Sequence, residues 1–527
     1  MKKHSYIPLI AAISLVLGMA VTYLLLGGKG NTGAIYRQDK ISQILGLIDR
    51  EYVDDIGKDS LMDKAITGLL QELDPHSVYM TAEQVKKENE SLRGNFDGIG
   101  VQFRIIEDSI TVVRTIKGGP SEKAGIMAGD RIVKVNGKKL NNITNDTVLH
   151  YLKGPKGSKV VLSIKRRGSS KLIDYTVKRD KIETNALAYY GMLDTITGYI
   201  KLDEFSATSH NEVNAALQSL VGKGMKQLVF DLRGNGGGYL DQAVKIADEF
   251  IVKGDLIVYT DGRYRGRQDY FATNGGLFEE GKIIVLIDEL SASASEILSG
   301  CIQDNDRGIV VGRRTFGKGL VQEQKELSDK SAVRLTVARY YTPSGRCIQR
   351  PYINGDPDKY FQDFLDRYAN MEADADTISH DKKLQFTTKK GRKVYGGGGI
   401  EPDVSLPYSI FKRSDYYSQL LRQGLIYKYC FDYVDNNRDK FANYKGGKDF
   451  VKNYSVSGKD LMAMLSFAEK NGVKKQALSN KEQIEIKKLM KAYIGQNLYD
   501  EKCFYSIYTE LDDELQEALK SFAKKVS

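Results

Sequence analysis

The spacing of hydrophobic and polar positions changes several times along this chain, and each change marks a boundary. Residues 7–28 are almost unbroken apolar sequence. That is about 20 residues, enough to cross a ~30 Å hydrocarbon core as a helix. Ile41, Ile44, Leu45 and Ile48 then recur at helical spacing, as do Leu61, Ala65, Leu69 and Leu70, so a helical region is predicted over about 35–91. The turn Asp74-Pro75-His76-Ser77 divides it. From about 95 to 180 short strands take over, with clear alternation at 160–165 and 173–177. Between 186 and 404, strand-like runs at 199–205, 227–232, 283–287, 309–312 and 333–341 alternate with helical patterns at 240–251 and 294–303. This predicts an α/β core. Beyond 407 the chain is charged, tyrosine-rich and helical in pattern. The expected division is a membrane segment (1–28), an N-terminal helical region (29–94), a strand-rich module (95–180), an α/β core (186–407) and a C-terminal helical domain (408–527).

Composition narrows the function classes. A hydrophobic share of 41% and a charged share of 28% suit a folded body, and 527 residues exceed one ordinary core. The net charge of +10 is spread out, with no compact basic stripe interleaved with aromatics, so nucleic acid is not an expected partner. Cys301, Cys347, Cys430 and Cys503 match no zinc-site spacing. Unpaired, mostly buried thiols are the expectation, although an oxidising compartment would allow one or two disulfides. Lys2, Lys3 and His4 precede the apolar segment, and no convincing small-x-small cleavage site follows Leu24, Leu25 and Leu26. An uncleaved anchor is therefore preferred to a removed signal peptide. Its positive flank stays cytoplasmic, which places the body outside, in a periplasmic or other extracytoplasmic space.

Two segments carry candidate chemistry. Gly98-Ile99-Gly100-Val101 offers a glycine-flanked loop entering a strand, where close backbone approach could bring several N–H donors onto a peptide carboxylate. By itself it is weak evidence, and a tight strand-entry turn is the ordinary reading. Ser291-Ala292-Ser293-Ala294-Ser295-Glu296 follows the apolar run 283–287. A serine at such a strand-to-helix junction can expose its hydroxyl beside free helix N-terminal amides. Ser293-x-x-Glu296 is also a capping box, the ordinary way to begin a helix. The histidines are His4, His76, His150, His210 and His380; none lies in the α/β motif segments, which leaves a Ser-His-Asp triad poorly supported. A lysine with a pKa lowered by burial can serve instead. Lys318, between Gly317 and Gly319 with hydrophobic neighbours, is the candidate, and Gln322 could orient it. Most lysines are simply solvated surface groups.

Resemblance decides between these readings. The stretch 118–137, GGPSEKAGIMAGDRIVKVNG, resembles a PDZ domain of the bacterial protease-associated kind. The resemblance implies that the amides of Ile99, Gly100 and Val101 hold a substrate's C-terminal carboxylate while the peptide adds as a strand. SASASEI followed by FGKGLVQ resembles the C-terminal processing (tail-specific) peptidase family, whose members use a Ser/Lys dyad. Its serine is the second of the three, and its lysine lies 25 positions later, which selects Ser293 and Lys318; Gln322 matches the third position. DLRGNGGG at 231–238 resembles the family's DLR-N-x-GG loop, with Gly236 where many members carry proline. Gly236 or Gly237 would then join the Ala294 amide in an oxyanion hole. LDPHS at 73–77, YTPSGR at 341–346 and GIEPD at 399–403 also match, so the resemblance covers about 35–407, with an insertion near 350–393.

The implied fold is an α/β protease core of crotonase/ClpP-like β-α units with an upstream PDZ domain and helical regions at both ends. The implied function is an envelope serine endopeptidase, single-pass in the inner membrane, acting on proteins or peptides with accessible apolar C-termini. No metal or organic cofactor is implied, and homo-oligomerisation is left open. Two rivals remain: a catalytically inactive PDZ-bearing scaffold on a protease-like fold, and a Ser/His hydrolase acting through His210.

Overall fold

The computed structural model describes residues 32–106, 109–140, 143–273, 275–369, 381–407 and 413–523, with four isolated positions at 12, 14, 16 and 17. The apolar segment 7–28 lies almost wholly outside the described residues. Among the described residues, no helix is long and apolar enough to cross a membrane.

The chain divides into two compact units at residue 70. In the first, Met1–Leu70, the helix Thr32–Glu51 and most of the helix Lys58–Gln71 follow the predicted helical spacing. In the second, the region expected to be helical also contains a short strand, Val78–Met80, before the helix Ala82–Leu92. That strand forms because its backbone finds an open edge, pairing antiparallel with Ala332–Tyr341.

The strand-rich module is one sheet in the order Val101–Ile106, Ser109–Thr115, Arg131–Val135, Lys159–Lys165, Ile173–Lys178. Ile110, Val112, Ile132, Val160, Leu162 and Ile164 point into its core, with two-residue spacing within the strands Ser109–Thr115 and Lys159–Lys165. Where the chain enters and leaves the module, Asn95–Gly98 pairs with Asp180–Glu183.

The α/β core has a six-stranded sheet ordered Leu187–Met192, Thr197–Leu202, Gln227–Asp231, Lys282–Ile287, Ile309–Gly312, Val404–Ser405. The first pair is antiparallel and the rest are parallel. Both faces of such a sheet are buried, hence the continuous apolar runs LVF and IIVLI rather than alternation. One face packs on the helices Ser209–Gly222, Leu240–Asp248 and Ala294–Asp304. The other packs on Leu515, Ala518 and Phe522 from the C-terminal end of the chain. A second sheet is built around Ala332–Tyr341, with Leu320–Glu326 and Leu256–Asp261 beside it.

The C-terminal helices surround a core of their own that includes Tyr416, Leu420, Cys430, Phe450, Met464 and Ile486. They also reach the strand-rich module: the Arg104 guanidinium lies 3.5 Å above the Tyr427 ring, and Arg114 pairs with Glu501 at 3.2 Å. All four cysteines are unpaired, three of them buried.

Candidate active site

The site is assembled where parallel strands end and helices begin. After Lys282–Ile287 the chain turns through Asp288, and the three serines that follow have different fates. Ser291 is fully buried and its hydroxyl donates to the Leu232 carbonyl at 2.9 Å. Ser295 is equally buried and donates to the Asn235 carbonyl at 2.9 Å. Those two hydroxyls knit the serine turn to the glycine loop. Ser293 alone is partly exposed, and it opens the helix Ala294–Asp304 with φ 55° and ψ −111°. That backbone is costly for a residue with a Cβ, and such strain persists only where the surroundings enforce it.

Gly237 is part of the enforcement. Its φ is +103°, and a Cβ there would sit 2.8 Å from Ser293 Cβ, 2.7 Å from the Ala292 carbonyl oxygen and 3.0 Å from the Ala294 nitrogen. The loop can lie this close to Ser293 only as glycine. The Gly237 amide donates to Asn235 Oδ1 at 2.9 Å. Ala294, first residue of its helix, carries one of the N-terminal amides that have no intrahelical acceptor.

Glu296 does more than cap. Its buried carboxylate accepts from four donors: the amides of Ser293 (2.8 Å) and Lys318 (2.9 Å) on Oε2, and the Gly317 amide (2.7 Å) and Thr315 hydroxyl (2.6 Å) on Oε1. Burial pushes its pKa up to about 7, against the pull of those donors. The Tyr340 hydroxyl spans the same gap, within hydrogen-bonding distance of the carbonyls of Lys318 (2.7 Å) and Ser293 (3.2 Å). Two buried side chains thus fix the serine segment against the lysine segment.

Burial lowers the Lys318 pKa below the ordinary lysine range, and the nearby Arg334 guanidinium lowers it further. Arg334 is held by Glu88 of the Ala82–Leu92 helix at 2.7 Å. Gln322 donates its side-chain amide to the His76 carbonyl. His76 sits in a turn locked by Asp74, whose Oδ1 accepts from the amides of His76 and Ser77, each at 3.0 Å, and from the Thr336 hydroxyl at 3.0 Å. Burial foremost, then Lys318, lowers the His76 imidazole to about 4.

Ser293, Ala294, Gly236, Gly237, Lys318 and Gln322 line one cavity of about 590 Å³. Leu92, Leu240, Ile297, Leu320 and Val321 give it apolar walls, with Glu88, Glu204 and Arg334 at its polar part. Ile99, Gly100 and Val101 lie elsewhere, in the strand-rich module. The Ile99 carbonyl accepts from the Ser121 amide (3.0 Å) and hydroxyl (2.7 Å), and Gly100 takes φ +71°. Val101–Ile106 is an edge strand, the geometry a peptide needs to add alongside. His210 is not among the residues lining the Ser293 cavity; its Nε2 is 2.9 Å from Glu249 Oε1.

Sequence reasoning overlooked several residues. Glu296 was legible only as a cap, because a capping carboxylate and a four-donor clamp read alike in one dimension. Tyr340, Arg334 and Glu88 carried no local signal. The 73–77 segment was legible as a family match, but its position behind Gln322 was not.

Comparison with known proteins gives this geometry its context. Residues 196–358 match Peptidase family S41, 98–177 match a PDZ domain, 27–84 match the activating protease CtpB N-terminal domain, and 416–500 match a family of unknown function (DUF8443). A solved structure of a photosystem II D1 C-terminal processing protease is similar at 25% identity and a TM-score of 0.37, covering 69% of this chain and 85% of that one. The carboxy-terminal-processing protease of Bartonella bacilliformis is 37% identical over 332 residues, 61% of this chain and 76% of its own. The carboxy-terminal processing protease CtpA of Bacillus subtilis is 35% identical over 357 residues, 66% of this chain and 76% of its own. The chain belongs to the C-terminal processing peptidases, serine-type peptidases of family S41 that carry a PDZ domain.

Proposed function

We propose that this peptidase cleaves with Ser293 as nucleophile and Lys318 as general base, on substrates whose C-terminal tails are held by its PDZ domain. One observation carries the reading: the Glu296 carboxylate clamps the Ser293 and Lys318 backbones to each other at the edge of one cavity, while the neighbouring serine hydroxyls are bonded elsewhere.

Neutral Lys318 accepts the Ser293 hydroxyl proton as the oxygen attacks the scissile carbonyl. The tetrahedral oxyanion is held by the Ala294 amide and a glycine-loop amide. A proline at position 236, as many relatives carry, has no N–H, so Gly237 is the donor the family can share. Its bond to Asn235 is a neutral one, and a developing oxyanion competes well because charge-assisted bonds are about twice as strong. Lys318 then protonates the leaving amine, and water releases the acyl group. Gln322, anchored on the His76 carbonyl, orients Lys318 without restoring its positive charge.

In the PDZ domain the amides of Ile99, Gly100 and Val101 hold the tail carboxylate, and the peptide extends the Val101–Ile106 edge. The proposed domains are 1–28, 29–94, 95–180, 186–407 and 408–527, with the first an uncleaved anchor and the body in the periplasm. Protease added to intact spheroplasts tests that location: degradation of the body supports it, and full protection refutes it.

Cleavage of an unstructured substrate with an apolar C-terminus tests the chemistry. Ser293→Ala and Lys318→Ala should each lower kcat by on the order of 10³-fold or more, and His210→Ala should not. Unchanged cleavage by the first two would remove the dyad.

A further inference from the structure

Two loops carry the proposed chemistry, and both are held from behind by the C-terminal end of the chain. The glycine loop leaves Gln227–Asp231 and passes Arg233 before reaching Gly236 and Gly237. The lysine segment leaves Ile309–Gly312 and passes Arg313 before reaching Lys318. The Arg233 guanidinium donates to Asp231 (2.5 Å), to both oxygens of Asp512 (3.0 and 2.6 Å) and to Glu514 Oε2 (2.6 Å). Arg313 donates to Glu289 at 2.9 Å and, through Nη1, to Glu514 Oε1. Asp512 caps the Asp513–Lys520 helix and Glu514 lies in its first turn. That helix is anchored by Leu515 and Ala518 against the core sheet.

Within this cluster Glu514 is the carboxylate that bonds both arginines, one oxygen to each loop, and it is 5% exposed. We infer that Glu514, supported by Asp512, is a positioning residue for catalysis: the C-terminal helical domain fixes the spacing between the oxyanion loop and the lysine segment. These residues lie beyond the stretch matched to the peptidase family, so the domain is a working part of the active site rather than an appendage. Removing the Glu514 charge leaves Arg313 paired with Glu289, and Arg233 paired with Asp231 and Asp512. The fold keeps its ion pairs, and what disappears is the bridge between the loops.

The inference rests on the Ser293/Lys318 reading, and one series of full-length variants separates the two. Steady-state cleavage of a tailed peptide is measured for wild type, Glu514→Gln, Asp512→Asn, Glu510→Gln and Ser293→Ala. Glu514→Gln should lower kcat about tenfold or more with KM within about twofold, because misplacement of ~1 Å can cost ~10²-fold while leaving ground-state binding intact. Asp512→Asn should show a smaller loss of the same kind. Glu510, paired with Lys488 on the surface, serves as the neighbouring control and should leave both constants unchanged. A wild-type kcat in Glu514→Gln overturns the inference. If that variant does not fold, Asp512→Asn decides: kcat equal to wild type overturns it equally. Full activity in Ser293→Ala would instead refute the underlying dyad, whatever Glu514 does.

Discussion

Replacing Gly237 by alanine puts one methyl group at the tightest point of the site. The new Cβ would lie 2.7 Å from the Ala292 carbonyl oxygen, 2.8 Å from Ser293 Cβ and 3.0 Å from the Ala294 nitrogen, at φ +103°. The backbone conformation alone costs about 1–3 kcal/mol for a residue with a side chain. The three overlaps add to that, and they fall on backbone or Cβ atoms, which cannot rotate away as the end of a long side chain can. Relief requires the loop and the serine turn to separate by several tenths of an ångström. That shift moves Ser293 and the Gly237 amide together. Misplacement on this scale, with the proposed oxyanion donor displaced, should lower kcat by ~10²-fold or more. KM should change little, since the apolar walls of the cavity are untouched. Steady-state kinetics with a tailed peptide, paired with denaturant unfolding, would read both effects. A kcat within about threefold of wild type would refute the packing argument.

The adjacent Gly236 should behave in the opposite way. A Cβ there meets nothing within 4 Å, so Gly236→Pro, which also removes the N–H, should retain kcat within about threefold; a loss of ~10²-fold would move the oxyanion donor from Gly237 to Gly236. Lys318→Met should abolish turnover while leaving the protein at least as stable at pH 7. The folded pKa of Lys318 lies below its unfolded value, so the ammonium costs stability at low pH, and stability rises as pH rises through that window; a clear loss of stability at pH 7 would contradict the assignment. The rate of the wild type should climb with pH for the same reason. Glu296→Gln replaces one of two carboxylate oxygens that each accept two donors by an NH₂ group, so it should destabilise by about 2–4 kcal/mol in urea unfolding.

Much of the fold could be read in one dimension. The runs at 227–232 and 283–287 are apolar without alternation because the sheet is covered on both faces, and they became parallel neighbours in the core. Alternation over 160–165 likewise identified a strand of the PDZ module. The strands Leu187–Met192, Leu256–Asp261 and Leu320–Glu326 show no period of two in sequence: LAYYGM and LIVYTD run apolar without alternating, and LVQEQKE is polar after its first two residues. Leu320–Glu326 matters most, since it carries Gln322.

The site was legible to the extent that it is local. Ser293, Ala294 and Glu296 sit within four residues of one another, and the 25-residue step to Lys318 is a fixed spacing along the chain. The supports are not local. Tyr340 lies 47 residues from Ser293, His76 lies 246 from Gln322, and Glu514 lies 281 from Arg233. Those partners meet only because the fold closes loops whose length leaves no periodic trace. Choosing Ser293 over Ser291 and Ser295 shows the difference. In sequence only a family spacing separates them, whereas in the structure the Ser291 and Ser295 hydroxyls are bonded to backbone carbonyls and Ser293 lines the cavity.

The central claim is that Ser293 is a nucleophile activated by Lys318, and covalent labelling tests it most directly. Wild type and Lys318→Ala are incubated with a fluorophosphonate across a pH series, and the modified peptide is mapped by mass spectrometry. The account predicts a single adduct on Ser293, forming faster as pH rises in the wild type and on the order of 10²-fold slower without Lys318. An adduct on another residue, or an equal rate in the two proteins, would contradict it.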